Sequence, residues 1–349
     1  MTLLDVAPTR RPDRALELSR RARRGPVRRQ RLVICGLVLA LLLAFAARVL
    51  LGDFTVTIPD FVRILFGADI PGASYIVMET KLPRAVLGVL VGASFGIGGA
   101  IFQTTLRNPL ASPDIIGVSV GASAASVFTI VVLGSSESSV SFAAIIGAVL
   151  VAVTVRVVAG PVRGYRLVLV GVGVAAALQS VIQYFFTRAD VYDAQAALRW
   201  LTGSLSAADW PGITILAVFL LLCLPIIVWL ARSLPVIELG PDAAASLGVT
   251  TRRTDALLML AVVLTAVGVA AAGPVAFVSF LAGPIARGLN GGRTTLVGAA
   301  LTGAVIVVGA DYVADYLLSD VNFPVGVITG AFGAPYLLWL LARRERSQR

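Results

Sequence analysis

The 349-residue chain is 58% hydrophobic and only 14% charged, which excludes a soluble globular domain of this size, because such a domain needs far more charged surface. The net charge of +10 sits in two tails: residues 1–31 hold ten arginines against Asp5, Asp13 and Glu17, and residues 343–349 hold four against Glu345. The body between them is neutral, so the excess reads as basic segments flanking membrane helices and not as a nucleic-acid surface.

The chain lacks histidine, and Cys35 and Cys223 both lie in apolar runs, so neither a Cys/His metal site nor a Ser-His-Asp triad is available. Its single lysine, Lys81, is followed by Leu82. A phosphate-cradling GxxxxGK[ST] loop is therefore impossible. The chain is expected to be no enzyme and to bind no cofactor or metal; any ATP and Mg must be used by a separate ATPase chain.

In chain order, apolar runs place membrane spans at 32–51, 84–106, 115–133, 140–159, 166–187, 211–231, 254–272, 274–287, 294–317 and 325–342. The predicted fold is all-α: a polytopic membrane protein of about ten helices. Its parts are a basic tail (1–31), one transmembrane domain (32–343) and a short tail (344–349). The eighth run is short for a crossing, but counting it puts 23 of the 29 basic residues on the side of the N-terminus. Acids such as Asp53, Asp60, Asp69, Asp190 and Asp209 then fall on the other side. That bias predicts ten spans with both termini in the cytoplasm. Gly88, Gly92 and Gly96, Gly117 and Gly121, and Gly326 and Gly330 with Ala334 form small-residue stripes suited to close helix packing.

Three connections carry more information than the rest. Residues 107–114 read as a turn: Arg107 at a helix C-terminus, Asn108-Pro109 as a stop, Ser112 as a cap and Pro113 at a first helical position. Between the sixth and seventh spans, residues 233–250 hold a short helix between Gly240-Pro241 and Gly248. It is small and mostly apolar, Asp242 suits its first turn, and a cytoplasmic loop of this kind suits docking of another protein. Gly273-Pro274 breaks a continuous apolar stretch, either enclosed by protein or lining a pathway. Gln103, Gln179, Gln183 and Tyr184 are polar positions within apolar helices; they face a pathway or bond between helices.

Several segments, in order, resemble the FecCD-type permeases, which import iron-siderophores, haem and vitamin B12. They include Lys81-Leu82-Pro83-Arg84, Arg107-Asn108-Pro109-Leu110-Ala111, Gly117-Val118-Ser119, Ala245-Ser246-Leu247-Gly248, Ala272-Gly273-Pro274, Pro284-Ile285-Ala286-Arg287 and Phe323-Pro324-Val325-Gly326. The resemblance covers roughly residues 32–343. It implies a type II ABC importer permease in the bacterial cytoplasmic membrane, paired with a second permease above an ATPase dimer and fed by a solute-binding protein. Gly283-Pro284, where many members carry Pro-His, and the stretch from Val191 to Ser204 resemble the catecholate ferric-siderophore subset. That implies a heterodimer and a ferric-siderophore cargo, with haem or vitamin B12 as alternatives.

By the same resemblance, Glu238, Pro241, Asp242, Ala243, Ala244, Ala245, Ser246, Leu247 and Gly248 form the ATPase-coupling segment. Arg63, Arg84 and Arg199 are the candidates for docking the binding protein; for Arg63, snorkelling at the lipid headgroups is an equal alternative. From another class, an ion-coupled secondary transporter would need carboxylates near mid-span, and the acids here lie near span ends.

Overall fold

The structure, a computed structural model, describes residues 12–134, 137–160, 164–318 and 322–348. The arginines Arg10, Arg11 and Arg349, and the acids Asp5 and Asp320, lie outside the described residues. Helices in chain order are α1 (Pro12–Leu50), α2 (Ile58–Leu65), α3 (Ala73–Tyr75), α4 (Leu82–Thr105), α5 (Val118–Val131), α6 (Glu137–Ala159), α7 (Gly164–Phe186) and α8 (Val191–Thr202). They continue as α9 (Trp210–Ala231), α10 (Leu234–Ile237), α11 (Pro241–Ser246), α12 (Thr251–Ala272), α13 (Val278–Leu289), α14 (Leu296–Tyr316) and α15 (Val325–Gln348). A π-helical turn (Ile76–Lys81) joins α3 to α4, and a 3₁₀ turn (Pro113–Ile116) leads into α5.

Each of the ten apolar runs falls on a helix. Among the described residues, seven helices are long and apolar enough to cross a membrane, and Val118–Val131, Val278–Leu289 and Val325–Leu340 are shorter apolar helices. α1 is continuous from Pro12, and its 39 residues extend about 58 Å, well past a hydrocarbon core of about 30 Å.

α4 and α12 are the most enclosed helices, and glycine explains why α4 can be. A side chain on Gly92 would run into the Gly303 carbonyl of α14, one on Gly96 into that of Ala299, and one on Gly99 into that of Ser279 on α13. Backbones therefore meet directly, as expected where lipid gives apolar side chains no reason to prefer protein. The second stripe works the same way: Gly121 of α5 abuts Gly147 of α6. The third is half used, since Gly326 packs on Thr202 while nothing lies within 4 Å of the position a Gly330 side chain would take.

The Gly273-Pro274 break is enclosed by protein. Gly203 and Gly273, both at positive φ, let the end of α8 press onto this corner, and the Ser204 amide donates to the freed Ala272 carbonyl at 2.8 Å. The amide of Gly326 donates to Gly203. The interrupted backbone is thus satisfied by neighbouring chain, as membrane depth requires.

Candidate docking and coupling surfaces

The loop helix α11 begins at Pro241 after Gly240, whose φ of 114° only glycine adopts comfortably. It ends as a Schellman motif, with Gly248 (φ 83°) donating to Ala245 and Val249 to Ala244. Pro241, Asp242, Ala245, Ser246, Leu247 and Gly248 are exposed, and Leu247 is 63% accessible. Ala244 is turned inward and buried, with Ala243 half-buried, so not every residue of the expected coupling segment is presented at the surface. At six residues, α11 makes under two turns, and the side that holds Ala243 and Ala244 faces back toward the bundle.

The same end of the molecule carries the 107–114 turn. Here too α4 ends as a Schellman motif: Arg107, at φ 52°, donates to Thr104, and Asn108 donates to Gln103. The Arg107 guanidinium lies against Gly240, 3.3 Å from where a side chain there would begin, so the two loops support each other. Ser112 makes no side-chain cap. Asp114 instead accepts from the Ser119 hydroxyl. Burial pushes the Asp114 carboxyl above its ordinary range, and that hydrogen bond opposes the shift. Glu238 is exposed and accepts from Thr294 Oγ1 at 2.7 Å, which links the loop to the start of α14.

At the opposite end, α2 projects Arg63 into the open beside exposed Ile58, Val62, Leu65 and Phe66. Thr57 caps α2 by accepting from the Asp60 amide, and Pro59 fits its first turn. Arg199 on α8 is also exposed. Arg84 is not a surface residue: its guanidinium is buried between Asp311 and Asp315 of α14, at 3.0 and 3.1 Å. Sequence reasoning also missed its companions there. Arg48 of α1 contacts the same two carboxylates at 2.6 and 3.0 Å and donates to the Tyr316 hydroxyl at 3.1 Å. The available signals were Asp311 and Asp315 one helical turn apart and Arg48 standing on the acid-rich side of the charge bias.

The four polar intramembrane positions separate. Gln103 is buried, and its amide donates to the Phe280 carbonyl at 3.0 Å, so it ties α4 to α13 and does not line a path. Gln179, Gln183 and Tyr184 lie on an exposed face of α7, with Tyr184 56% accessible. Among the described residues, no group of His, Cys, Asp and Glu is placed to hold a metal ion.

A many-helix membrane body with a small, capped helix in one loop and a projecting helix that carries Arg63 at the far end is an arrangement suited to a membrane permease. The comparisons with known proteins agree. The chain belongs to the FecCD transport family, whose model matches residues 38–343. It is 34% identical over 301 residues to the ferric enterobactin transport system permease protein FepG of Escherichia coli, covering 85% of this chain and 91% of that one. It is 35% identical to the Fe(3+)-citrate import system permease protein YfmE of Bacillus subtilis, covering 92% and 98%. A solved structure described as an inward-facing metal-chelate type ABC transporter shares the fold, with a TM-score of 0.79 at 24% identity over 89% of this chain and 99% of that one.

Proposed function

We propose that this chain is a permease subunit of an ATP-driven importer that moves a ferric siderophore across the bacterial cytoplasmic membrane. The observation that carries this reading is that relatives matched over most of their length are permeases named for ferric chelates: enterobactin, citrate and achromobactin. The body crosses the membrane ten times with both termini in the cytoplasm, a count supported by the seven long and three shorter apolar helices and by the charge bias.

A second, different permease chain completes the pathway. The exposed polar face of α7, with Gln179, Gln183 and Tyr184, is its wall on this side. An ATPase dimer, the part that uses ATP and Mg, docks on the exposed residues of α11 with Glu238. A solute-binding protein docks at the other end through Arg63 and Arg199. Proton coupling is disfavoured because Asp311 and Asp315 are neutralised by two arginines, and Asp255 is paired with Arg156 at 2.6 Å.

The test is uptake of radiolabelled ferric catecholate, hydroxamate and citrate chelates, with haem and vitamin B12, in a strain deleted for this chain. Loss of one ferric chelate, restored by the gene, is expected. Unchanged uptake of all ferric chelates, or loss of haem or vitamin B12 alone, overturns the cargo.

A further inference from the structure

The Arg48, Arg84, Asp311 and Asp315 cluster is more than a pair of ion pairs. Each arginine touches both aspartates, at 2.6 and 3.0 Å for Arg48 and at 3.0 and 3.1 Å for Arg84. The group is electrically neutral, and the side chains of Arg48 and Asp311 are each only 1% accessible. Three helices meet in it: the end of α1, the start of α4 and the end of α14. A buried network of this kind seldom adds net stability over an apolar equivalent, because desolvating four charges offsets their attraction. What it does supply is directional geometry: planar guanidinium forks fit carboxylates in few orientations.

The segment this geometry fixes is the one that carries Arg63. Two residues beyond Arg48 the chain leaves α1 and runs through residues 51–57 into α2. This segment has a small apolar core of its own, with Val49, Val56, Ile64 and Val77, separate from the main core. Lys81 Nζ donates to the carbonyls of Leu51 and Phe54 at 2.7 and 2.5 Å. Gly52 sits on the Tyr316 ring so closely that any side chain there would overlap it. The α2 platform is therefore bolted to the end of α14. At its other end α14 starts beside Thr294, the residue that donates to Glu238 of the α11 loop. Its 21 residues span about 32 Å between these two fixed points.

We propose that the four-residue cluster is a mount that makes α14 a strut between the α2 platform and the α11 loop, so that binding-protein docking is felt at the ATPase surface. The mount residues are positioning residues: they touch neither cargo nor partner. This inference rests on the assignment of α2 and α11 as docking surfaces.

The test uses the complete transporter in lipid nanodiscs, with all four mount residues replaced by apolar residues of similar size (Arg48→Met, Arg84→Met, Asp311→Leu and Asp315→Leu). Two quantities are read. One is the distance distribution between spin labels at Val62 and Leu318, after Cys35 and Cys223 are changed to serine. The other is ATP hydrolysis with and without binding protein. The expected result is a broadened distance, unchanged basal hydrolysis and about ten-fold weaker stimulation by the binding protein. An unchanged distance, or full stimulation despite a broadened one, overturns the proposal. If the fourfold variant does not assemble, Asp315→Asn, which retains one acceptor, is expected to broaden the distance and weaken stimulation to a smaller degree, and wild-type values of either overturn the proposal equally. A wild-type complex that binds no binding protein fails the docking assignment instead, and the spin-label distance still reads the mount.

Discussion

At the scale of single residues, the informative groups are those held by partners far away in sequence. Asp311 accepts from arginines of two other helices, so removing it leaves two buried guanidinium groups short of charge. Breaking such a network at one member costs about 3–5 kcal/mol. Asp311→Ala should lower the melting temperature in detergent sharply, while the four-residue apolar replacement costs far less; equal losses would show that charge balance is not what matters. Asp114 offers a pH test. Its carboxyl is raised by burial, so the folded protein holds that proton more tightly than the unfolded chain does. It therefore favours folding at acidic pH, and that contribution is lost as pH rises through the folded pKa. Asp114→Asn should flatten this part of the stability profile and be no less stable than wild type at neutral pH. A clear loss at neutral pH would mean that the ionised carboxylate is required. Residue identity made the acids visible near span ends, but the pairing of Arg48 with Asp311 joins positions 263 apart, and no local pattern shows a contact of that kind.

At the scale of elements, the ten apolar runs and the capped loop helix were legible because hydropathy, proline and glycine act locally. The facing of α11 was not, since a helix under two turns long shows no period, and its inner side is set by what it packs on. That distinction changes the experiment. Ala244→Arg would force a charge into a buried position and confound docking with folding. Ala245→Arg, on the exposed side, should leave the permease folded and expressed while abolishing uptake, with the ATPase either lost or hydrolysing without transport; normal uptake would move the coupling surface to the 107–114 turn. The glycine stripe of α4 makes a parallel case. Gly92→Leu places side-chain atoms where the Gly303 carbonyl stands, and overpacking of this kind costs about 1–3 kcal/mol. Gly330→Leu meets open space within the chain, so it should be tolerated unless the second permease covers it. Thermal melts of the two variants, alone and in the assembled transporter, separate these outcomes.

At the scale of the whole molecule, the chain is a helical body with candidate docking surfaces at both ends. With one lysine and no phosphate-binding loop, the purified chain should neither bind nor hydrolyse ATP; stoichiometric binding by contaminant-free protein would contradict this. On the proposed function, energy arrives at the α11 end and cargo at the α2 end, where Arg63 is an exposed cation. Its neighbours Ile58, Val62 and Phe66 are exposed and apolar, so a partner covering them would exclude water around the guanidinium and strengthen any carboxylate contact. An arginine that merely snorkels toward lipid would gain nothing from a protein partner. Reversing the charge tells the two apart: Arg63→Glu should weaken binding-protein affinity about 30-fold, with uptake falling in step and ATPase docking unaffected. A charge-reversed acid on the binding protein should restore part of the loss. If Arg63→Glu binds and transports as wild type does, Arg63 faces lipid headgroups, and Arg199 on α8 becomes the cation to test.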